Sequence, residues 1–395
     1  MSAPALPVKA LVVDDDPVIQ SLLCAFLRSR GYAVDAASDG RSGLARLAGA
    51  SYNLVITDRN MPEMDGLAFC RAIRALATPA YVYCIMLTSS ADEGTLVAAM
   101  EAGVDDFVGK PLRPAELGAR LRAAERVLAL EAGLARRNGE LASALGQLNS
   151  ELELARSLQL GQLPPPASIG PLRFEWLFEA CSYVGGDMFD YFALDDRHVG
   201  FYVADVSGHG VAAAMMAFNA RHQLLACSQA VLAQERHSED VARIAQAIVT
   251  DYNARVLQMQ DTSLYLTLAF GIADLDNSRV GLVHAGHPPC LFAPSKAAPL
   301  QEVGEPSVPL GILAEPGYEG QTLALAPGSR LVLYSDGITD CRNGQDEPFG
   351  AGRLQQGLSG RGSLAQDCSA LRDSLLAWRA GPFEDDVTAL ALELR

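Results

Sequence analysis

A chain of 395 residues is long for one hydrophobic core, and domains of roughly 100–200 residues point to two or three units. A hydrophobic fraction of 49% with 20% charged residues excludes a disordered chain. The formal net charge of −16, with no local basic patch, excludes nucleic acid as a partner and suits metal cations instead. The eight cysteines show no C-x-x-C pair or other metal-ligand spacing, so they read as small buried hydrophobes in a reducing compartment. No basic n-region precedes an apolar h-region, and no uninterrupted apolar run approaches about 18 residues, so a cytoplasmic protein outside the membrane is expected.

From Val8 to about Leu121, short apolar runs alternate with helical segments. The runs "KALVV", "YAVDAA", "NLVIT", "YCIML" and "DFVG" are separated by helical patterns near residues 18–30, 40–47, 67–75 and 95–101, and another begins at Ala115. Five strands alternating with five helices predict an α/β doubly wound, five-stranded parallel sheet, which binds ligands at the carboxyl ends of its strands.

Residues 115–163 carry no strand signal. Leu134, Asn138, Leu141, Leu145, Leu148, Leu152, Ala155 and Gln159 follow a 4-3-4-3 spacing, which predicts a long helix with a coiled-coil seam and a homodimer through it. A single connecting helix packed on its own domains is the alternative, and "LPPP" is expected to stop it at Pro164. After Pro166 come β-rich runs such as "FYVADV", "LYLTLAFGIADL", "VGLVHAG", "RLVLYSDG" and "VTALALEL" around helices near 212–234 and 240–258. These predict an α+β layered β-sandwich. The expected division is 1–122, a helical linker over 115–163, and 164–395.

Asp14, Asp15 and Asp16 end the first strand, Asp58 the third, Thr88 the fourth and Lys110 the fifth, so the parallel sheet gathers them at one edge. Carboxylates crowded there need a hard cation, and Mg²⁺ held by one or two carboxylates is the usual solution. Asp58 is then a candidate nucleophile, with the Thr88 hydroxyl and the Lys110 ammonium placed for phosphoryl oxygens. The motifs "LVVDDDP", "LVITDRNMPEMDG", "IMLTSS" and "DFVGKP" resemble the receiver domain of two-component response regulators. The resemblance implies Mg²⁺ on Asp14, Asp15, Asp58 and the carbonyl of Asn60. It also implies phosphorylation of Asp58 by a sensor histidine kinase or phosphotransfer protein, a Thr88–Phe107 pair that repacks, and Lys110 joined by a cis bond to Pro111.

In the C-terminal part, "SYVGGDMFDYF", "FYVADVSGHG", "RLVLYSDGITD" and "GPFEDDVTALAL" place Asp187, Asp205, Asp336 and Asp385–Asp386 beside glycines at strand ends and turns. Four acidic turns without histidine or cysteine spacing fit hard, oxygen-ligated cations, and a pair of these can activate water for in-line phosphoryl transfer. Residues from about 151 to 395 resemble the SpoIIE-type members of the metal-dependent protein phosphatase (PPM) superfamily. This implies two Mn²⁺ or Mg²⁺ ions, with Asp205 bridging and the carbonyl of Val206 assisting. Asp187, Asp336 and Asp385 complete the shells, Asp386 is a weaker candidate, and His209 is a candidate general acid. His284 and His287 of "HAGHPP" are read as a structural turn, not as ligands.

The combined resemblance implies that phospho-Asp58 controls a protein serine/threonine phosphatase through the linker. The substrate would be a phosphorylated signalling protein such as an anti-sigma-factor antagonist. The alternative is a catalytically inactive adaptor of the same fold, but such adaptors lack one or more metal aspartates and all four are present here.

Overall fold

The structure is a computed structural model that describes residues 8–76, 80–89, 93–208, 210–235, 238–258, 264–305, 307–358 and 362–395. The chain divides into two compact units, residues 1–147 and 148–395. His209 lies outside the described residues.

The first unit runs β1 (Lys9–Val13), α1 (Pro17–Ser29), β2 (Ala33–Ala37), α2 (Gly40–Gly49), β3 (Leu54–Asp58), α3 (Gly66–Ala75), β4 (Tyr83–Thr88), α4 (Glu93–Glu101), β5 (Asp106–Gly109) and most of α5 (Pro114–Leu160), whose end belongs to the second unit. Every pairing in its sheet is parallel, in the order β2-β1-β3-β4-β5. The central strands are buried on both faces, which is why they read as continuous apolar runs without alternation. Successive β1 side chains serve opposite cores: Ala10 and Val12 one, Leu11 and Val13 the other. Asp16, Asp39 and Asp65 each cap a helix by accepting backbone N–H groups of its first turn, so Asp16 of the acidic triplet is committed to α1.

Helix α5 continues through Gly133, Gly139 and Gly146 without interruption. Leu130, Leu134, Asn138, Leu141, Leu145 and Leu148 are exposed along it. Two expectations need correction here. The helix ends at Leu160, before Gly161 and four residues ahead of Pro164. Gln159, expected to close the exposed seam, is instead buried within the second unit.

The second unit runs β6 (Ala167–Ile169), β7 (Leu172–Glu179), β8 (Met188–Ala193), β9 (His198–Val206), α6 (Val211–Gln234), α7 (Val241–Gln258), β10 (Leu266–Asp274) and β11 (Arg279–Ala285). It continues through β12 (Cys290–Ala293), β13 (Gln301–Val303), β14 (Gly320–Ala324), β15 (Arg330–Tyr334), α8 (Asp336–Asp340), α9 (Gly350–Gly357), α10 (Leu364–Trp378) and β16 (Val387–Leu394). Two antiparallel sheets, β14-β11-β10-β9-β8 and β13-β12-β15-β16-β7-β6, face each other, with α6 and α7 outside the first and α9 and α10 outside the second. Strand β16 shows why. Leu390, Leu392 and Leu394 enter the core between the sheets, while Val387, Ala389 and Ala391 join the core under α9 and α10, so both faces of the strand are apolar. Phe174 of β7 stacks on Tyr191 of β8 across the sandwich, with ring centroids 4.2 Å apart. No described helix is long and apolar enough to cross a membrane.

Candidate metal centres

In the first unit, β1 delivers Asp14 and Asp15 and β3 delivers Asp58 to one sheet edge, with carboxylate oxygens within 4.8 Å of one another. Lys110, directly after β5, reaches in with Nζ 2.6 Å from Asp58 Oδ1 and 3.6 Å from Asp14 Oδ2. Its peptide bond to Pro111 is cis, and its backbone N–H bonds the Thr88 carbonyl, tying the ends of β4 and β5 together. Burial raises the pKa of Asp14 although the Asp16 N–H and Lys110 act against it. Lys110 loses some proton affinity to burial but is raised overall by its bond to Asp58 and by the charge of Asp14. Asp14 Oδ2 is buried without a hydrogen-bond partner, so one more cation at this edge fits the donor set. Thr88 is buried, Phe107 half-buried under the Arg120 guanidinium, and Asn60 exposed. Gly66 is dictated by close approach, since a Cβ there would lie 2.2 Å from the Asp58 carbonyl oxygen.

In the second unit, Asp187 precedes β8, Asp205 is the penultimate residue of β9, Asp336 opens α8 directly after β15, and Asp385 and Asp386 precede β16. Neighbouring strands of both sheets thus bring their acidic ends to one place. Asp187 is 1% exposed and Asp205 half-buried, while Asp336 and Asp385 lie at the open rim. Burial raises Asp187 well above the ordinary carboxylate range, and the Asp205 and Asp386 charges add to it. Asp205 is pushed up to about 7 by burial, then by Asp336, Asp385 and Asp386. Asp336 is raised by desolvation and by Asp385 and Asp340. The main charges acting on Asp187, Asp205 and Asp336 are those of other carboxylates, so this cluster fits cations supplied from solution.

The scaffold behind these carboxylates was not legible in the motifs. Thr388 Oγ1 donates to Asp187 Oδ2 at 2.5 Å, and the neighbouring Ser335 hydroxyl donates to the Asp386 carbonyl at 3.2 Å while accepting the Thr388 N–H at 3.1 Å. Asp386 is buried. Its Oδ1 accepts the Cys181 N–H at 2.8 Å and its Oδ2 the Asp187 N–H at 3.2 Å, so both oxygens hold the loop that carries Asp187. Cys181 lies with Asp385 and Asp386, their candidate ligand atoms within 4.8 Å, and burial pushes its thiol up to about 12. Three glycines make the assembly possible. A Cβ at Gly185 would meet Asp386 Oδ2 at 2.3 Å, one at Gly186 the Val206 carbonyl oxygen at 2.8 Å, and one at Gly337 the Asp386 carbonyl oxygen at 2.0 Å. His284 and His287 are buried, bonded to Cys290 Sγ and Thr267 Oγ1, and burial lowers them to about 4 and about 3.

Comparison with known proteins gives this geometry a lineage. Residues 195–395, just over half of the chain, match the family model "Stage II sporulation protein E (SpoIIE)", and residues 10–122 match "Response regulator receiver domain". Asp205, Asp336 and Asp385 fall inside the first match, while Asp187 precedes it. The chain is 41% identical over 116 residues to the transcriptional regulatory protein ResD of Bacillus subtilis, covering 29% of this chain and 47% of ResD. It is 27% identical over 192 residues to the phosphoserine phosphatase RsbP of the same species, covering 48% of this chain and 45% of RsbP. It spans less than half the length of these relatives. The SiaA-PP2C domain of Pseudomonas aeruginosa shares the fold of 65% of this chain over its own full length, with a TM-score of 0.53 and 22% identity. The chain therefore belongs to the SpoIIE family, with a response regulator receiver domain fused through a long helix to a PPM-type phosphatase domain.

Proposed function

We propose that the second unit is a metal-dependent phosphatase acting on phosphoserine or phosphothreonine in another protein, and that phosphorylation of Asp58 controls it. The observation that carries this reading is the convergence of Asp187, Asp205, Asp336 and Asp385, two of them at the rim and two withdrawn from water, with other carboxylates the main charges acting on the first three. Asp205, the Val206 carbonyl, Asp187, Asp336 and Asp385 would hold two Mg²⁺ or Mn²⁺ ions. Bound there, the ions would supply water of lowered pKa and positive charge for the phosphoryl oxygens. Thr388 fixes the rotamer of Asp187, and Asp386 fixes its backbone, so the carboxylates would meet the cations without rearranging. A cleft of about 550 Å³ opens beside Asp385, lined by Arg342 and Arg379 among the carboxylates of Asp340, Asp346, Glu384 and Asp385. The kinship to a phosphoserine phosphatase supports this substrate class, and an anti-sigma-factor antagonist is a candidate within it.

In the receiver, Asp14, Asp15, Asp58 and the Asn60 carbonyl would hold Mg²⁺, and Lys110 is placed to meet a phosphoryl group on Asp58 donated by a histidine kinase. The exposed leucine stripe on α5 is suited to pairing with a second copy, which makes the helix both dimer contact and route of control. The deciding experiment is hydrolysis of p-nitrophenyl phosphate and of a phosphoserine protein with Mn²⁺ or Mg²⁺. Turnover that needs metal and disappears in Asp205→Ala is expected; absent turnover would replace the enzyme with an adaptor, and metal-independent turnover would remove the metal mechanism. Acetyl phosphate or beryllofluoride should change activity or sedimentation of the wild type but not of Asp58→Asn. An equal response by both would remove Asp58 from the mechanism.

A further inference from the structure

The last turn of α5 contains a side chain that no part of the reading above requires. Gln159 is 8% exposed, although Leu158 and Leu160 beside it are exposed. Both ends of its carboxamide are spent on one residue 26 positions away: Nε2 donates to the Gly185 carbonyl at 2.9 Å, and Oε1 accepts the Gly185 N–H at 3.0 Å. The side chain therefore pairs with the Gly185 main chain as a neighbouring strand would, fixing the peptide planes on both sides of that residue. On the opposite side, the Asp386 carboxylate occupies the space a Cβ of Gly185 would fill and accepts the Asp187 N–H. Gly186, next in line, packs its backbone against the Val206 carbonyl oxygen.

From this geometry we infer that Gln159 is a positioning residue for the phosphatase metal centre. The segment Gly185–Gly186–Asp187 is clamped between the end of α5 and Asp386, so the placement of Asp187 depends on where the last turn of α5 sits. Glycines hold no side-chain contacts of their own, and without the carboxamide the segment keeps, among the described residues, its bonds to Asp386, to Val206 of β9 and to Thr388 through the Asp187 side chain. A rotation of α5 about its axis breaks both bonds of Gln159 together, because both belong to one rigid amide. The chain just beyond the helix is anchored separately. Arg221 donates to the Gln162 carbonyl and side chain while pairing with Asp190, and Trp176 Nε1 donates to the Pro164 carbonyl. Loss of the Gln159 amide thus loosens the metal loop while the linker end stays seated, which makes the helix terminus a control point for metal affinity.

This inference rests on the metal-dependent reading proposed above, and its test separates the two. Mn²⁺ binding to the full chain is measured by calorimetry for wild type, Asp205→Ala, Gln159→Met and Gln162→Ala, alongside kcat and the Mn²⁺ concentration for half-maximal turnover. Methionine fills the volume of glutamine without its hydrogen bonds. Gln159→Met is expected to bind Mn²⁺ roughly tenfold more weakly, within the range found when groups orienting metal ligands are lost. Its kcat at saturating Mn²⁺ should stay within about twofold, and Gln162→Ala should bind like wild type. Wild-type affinity in Gln159→Met would overturn the inference alone, whereas no Mn²⁺ binding by wild type would remove the metal reading and this inference with it. A measurement on wild type needs no variant to fold. Adding Mn²⁺ should slow amide exchange in the segment carrying Gly185 and in the last turn of α5 together, since coupling is reciprocal. Slowing confined to the loop would refute the clamp.

Discussion

Replacing Thr388 by valine tests how the site holds its most buried carboxylate. Thr388 and Asp187 are both withdrawn from water, and the hydroxyl donates to Asp187 Oδ2 at 2.5 Å from the inner face of β16. Valine keeps the branched shape and the backbone N–H that bonds Ser335 Oγ, so only the donor is lost. A hydrogen bond to an ionised group contributes about 1.5–3 kcal/mol. That bond favours the charged form of Asp187, the form a cation requires, and a carboxylate already raised by burial and by Asp205 has little else to hold its charge. Dividing by about 1.4 kcal/mol per tenfold, Mn²⁺ affinity should fall between roughly 10-fold and 150-fold. Metal-free stability should fall by only about 1 kcal/mol, because the hydroxyl can accept from a protonated carboxyl instead. Calorimetric Mn²⁺ titration with thermal melts of the metal-free proteins measures both. Unchanged Mn²⁺ affinity in a folded Thr388→Val protein would refute the assignment of Asp187 to the metal centre.

Three further outcomes follow from the structure. Gly66→Ala sets a Cβ against the Asp58 carbonyl oxygen and the Arg59 Cα, both backbone atoms, and should destabilise the receiver by about 1–3 kcal/mol while slowing labelling of Asp58 by acetyl phosphate; wild-type denaturant midpoint and labelling would contradict the close approach. Arg330 is buried between Asp367 and Glu393, at 2.6 Å from each, so Arg330→Met leaves two carboxylates without their shared cation and should cost about 3–5 kcal/mol in urea unfolding; a loss below about 1 kcal/mol would mean the network carries little. His284 and His287 titrate near 4 and 3 when folded against about 6.5 when unfolded, so the unfolded chain binds more protons between those limits. Their contribution is whole above pH 6.5 and is lost as pH falls, by about 2 kcal/mol per histidine at pH 5; melts of His287→Gln should show a shallower decline over that window than wild type, and an equal slope would deny the burial.

The receiver was almost entirely legible because its physics is local. Each strand of the parallel sheet is a short apolar run, and the acidic residues stand at strand ends that the βαβ crossover must bring to one edge. Strands β9, β10, β11, β15 and β16 of the second unit were legible for the same reason, whereas β7 and β8 were not among the runs read. The short β6, β12, β13 and β14 were not, since three to five residues at a sheet edge or beside a turn carry too little periodicity. The heptad pattern of α5 placed Gln159 on a seam because hydrophobic spacing records only which residues share a helix face, not which neighbour covers that face.

The sequence by itself determined the chemistry on offer. Acidic turns flanked by glycine, a lysine before proline and a strand-ending aspartate can be read one residue at a time, because ligand type is a property of the side chain. Only the tertiary structure decided how those groups are held. Gln159 meets Gly185 across 26 residues, Asp386 meets Asp187 across 199 and Thr388 meets Asp187 across 201. Glutamine, aspartate and threonine are ordinary anywhere on a surface. They become supports for the loop that carries Asp187 only when packing removes them from water, leaving each polar atom the neighbour the fold provides.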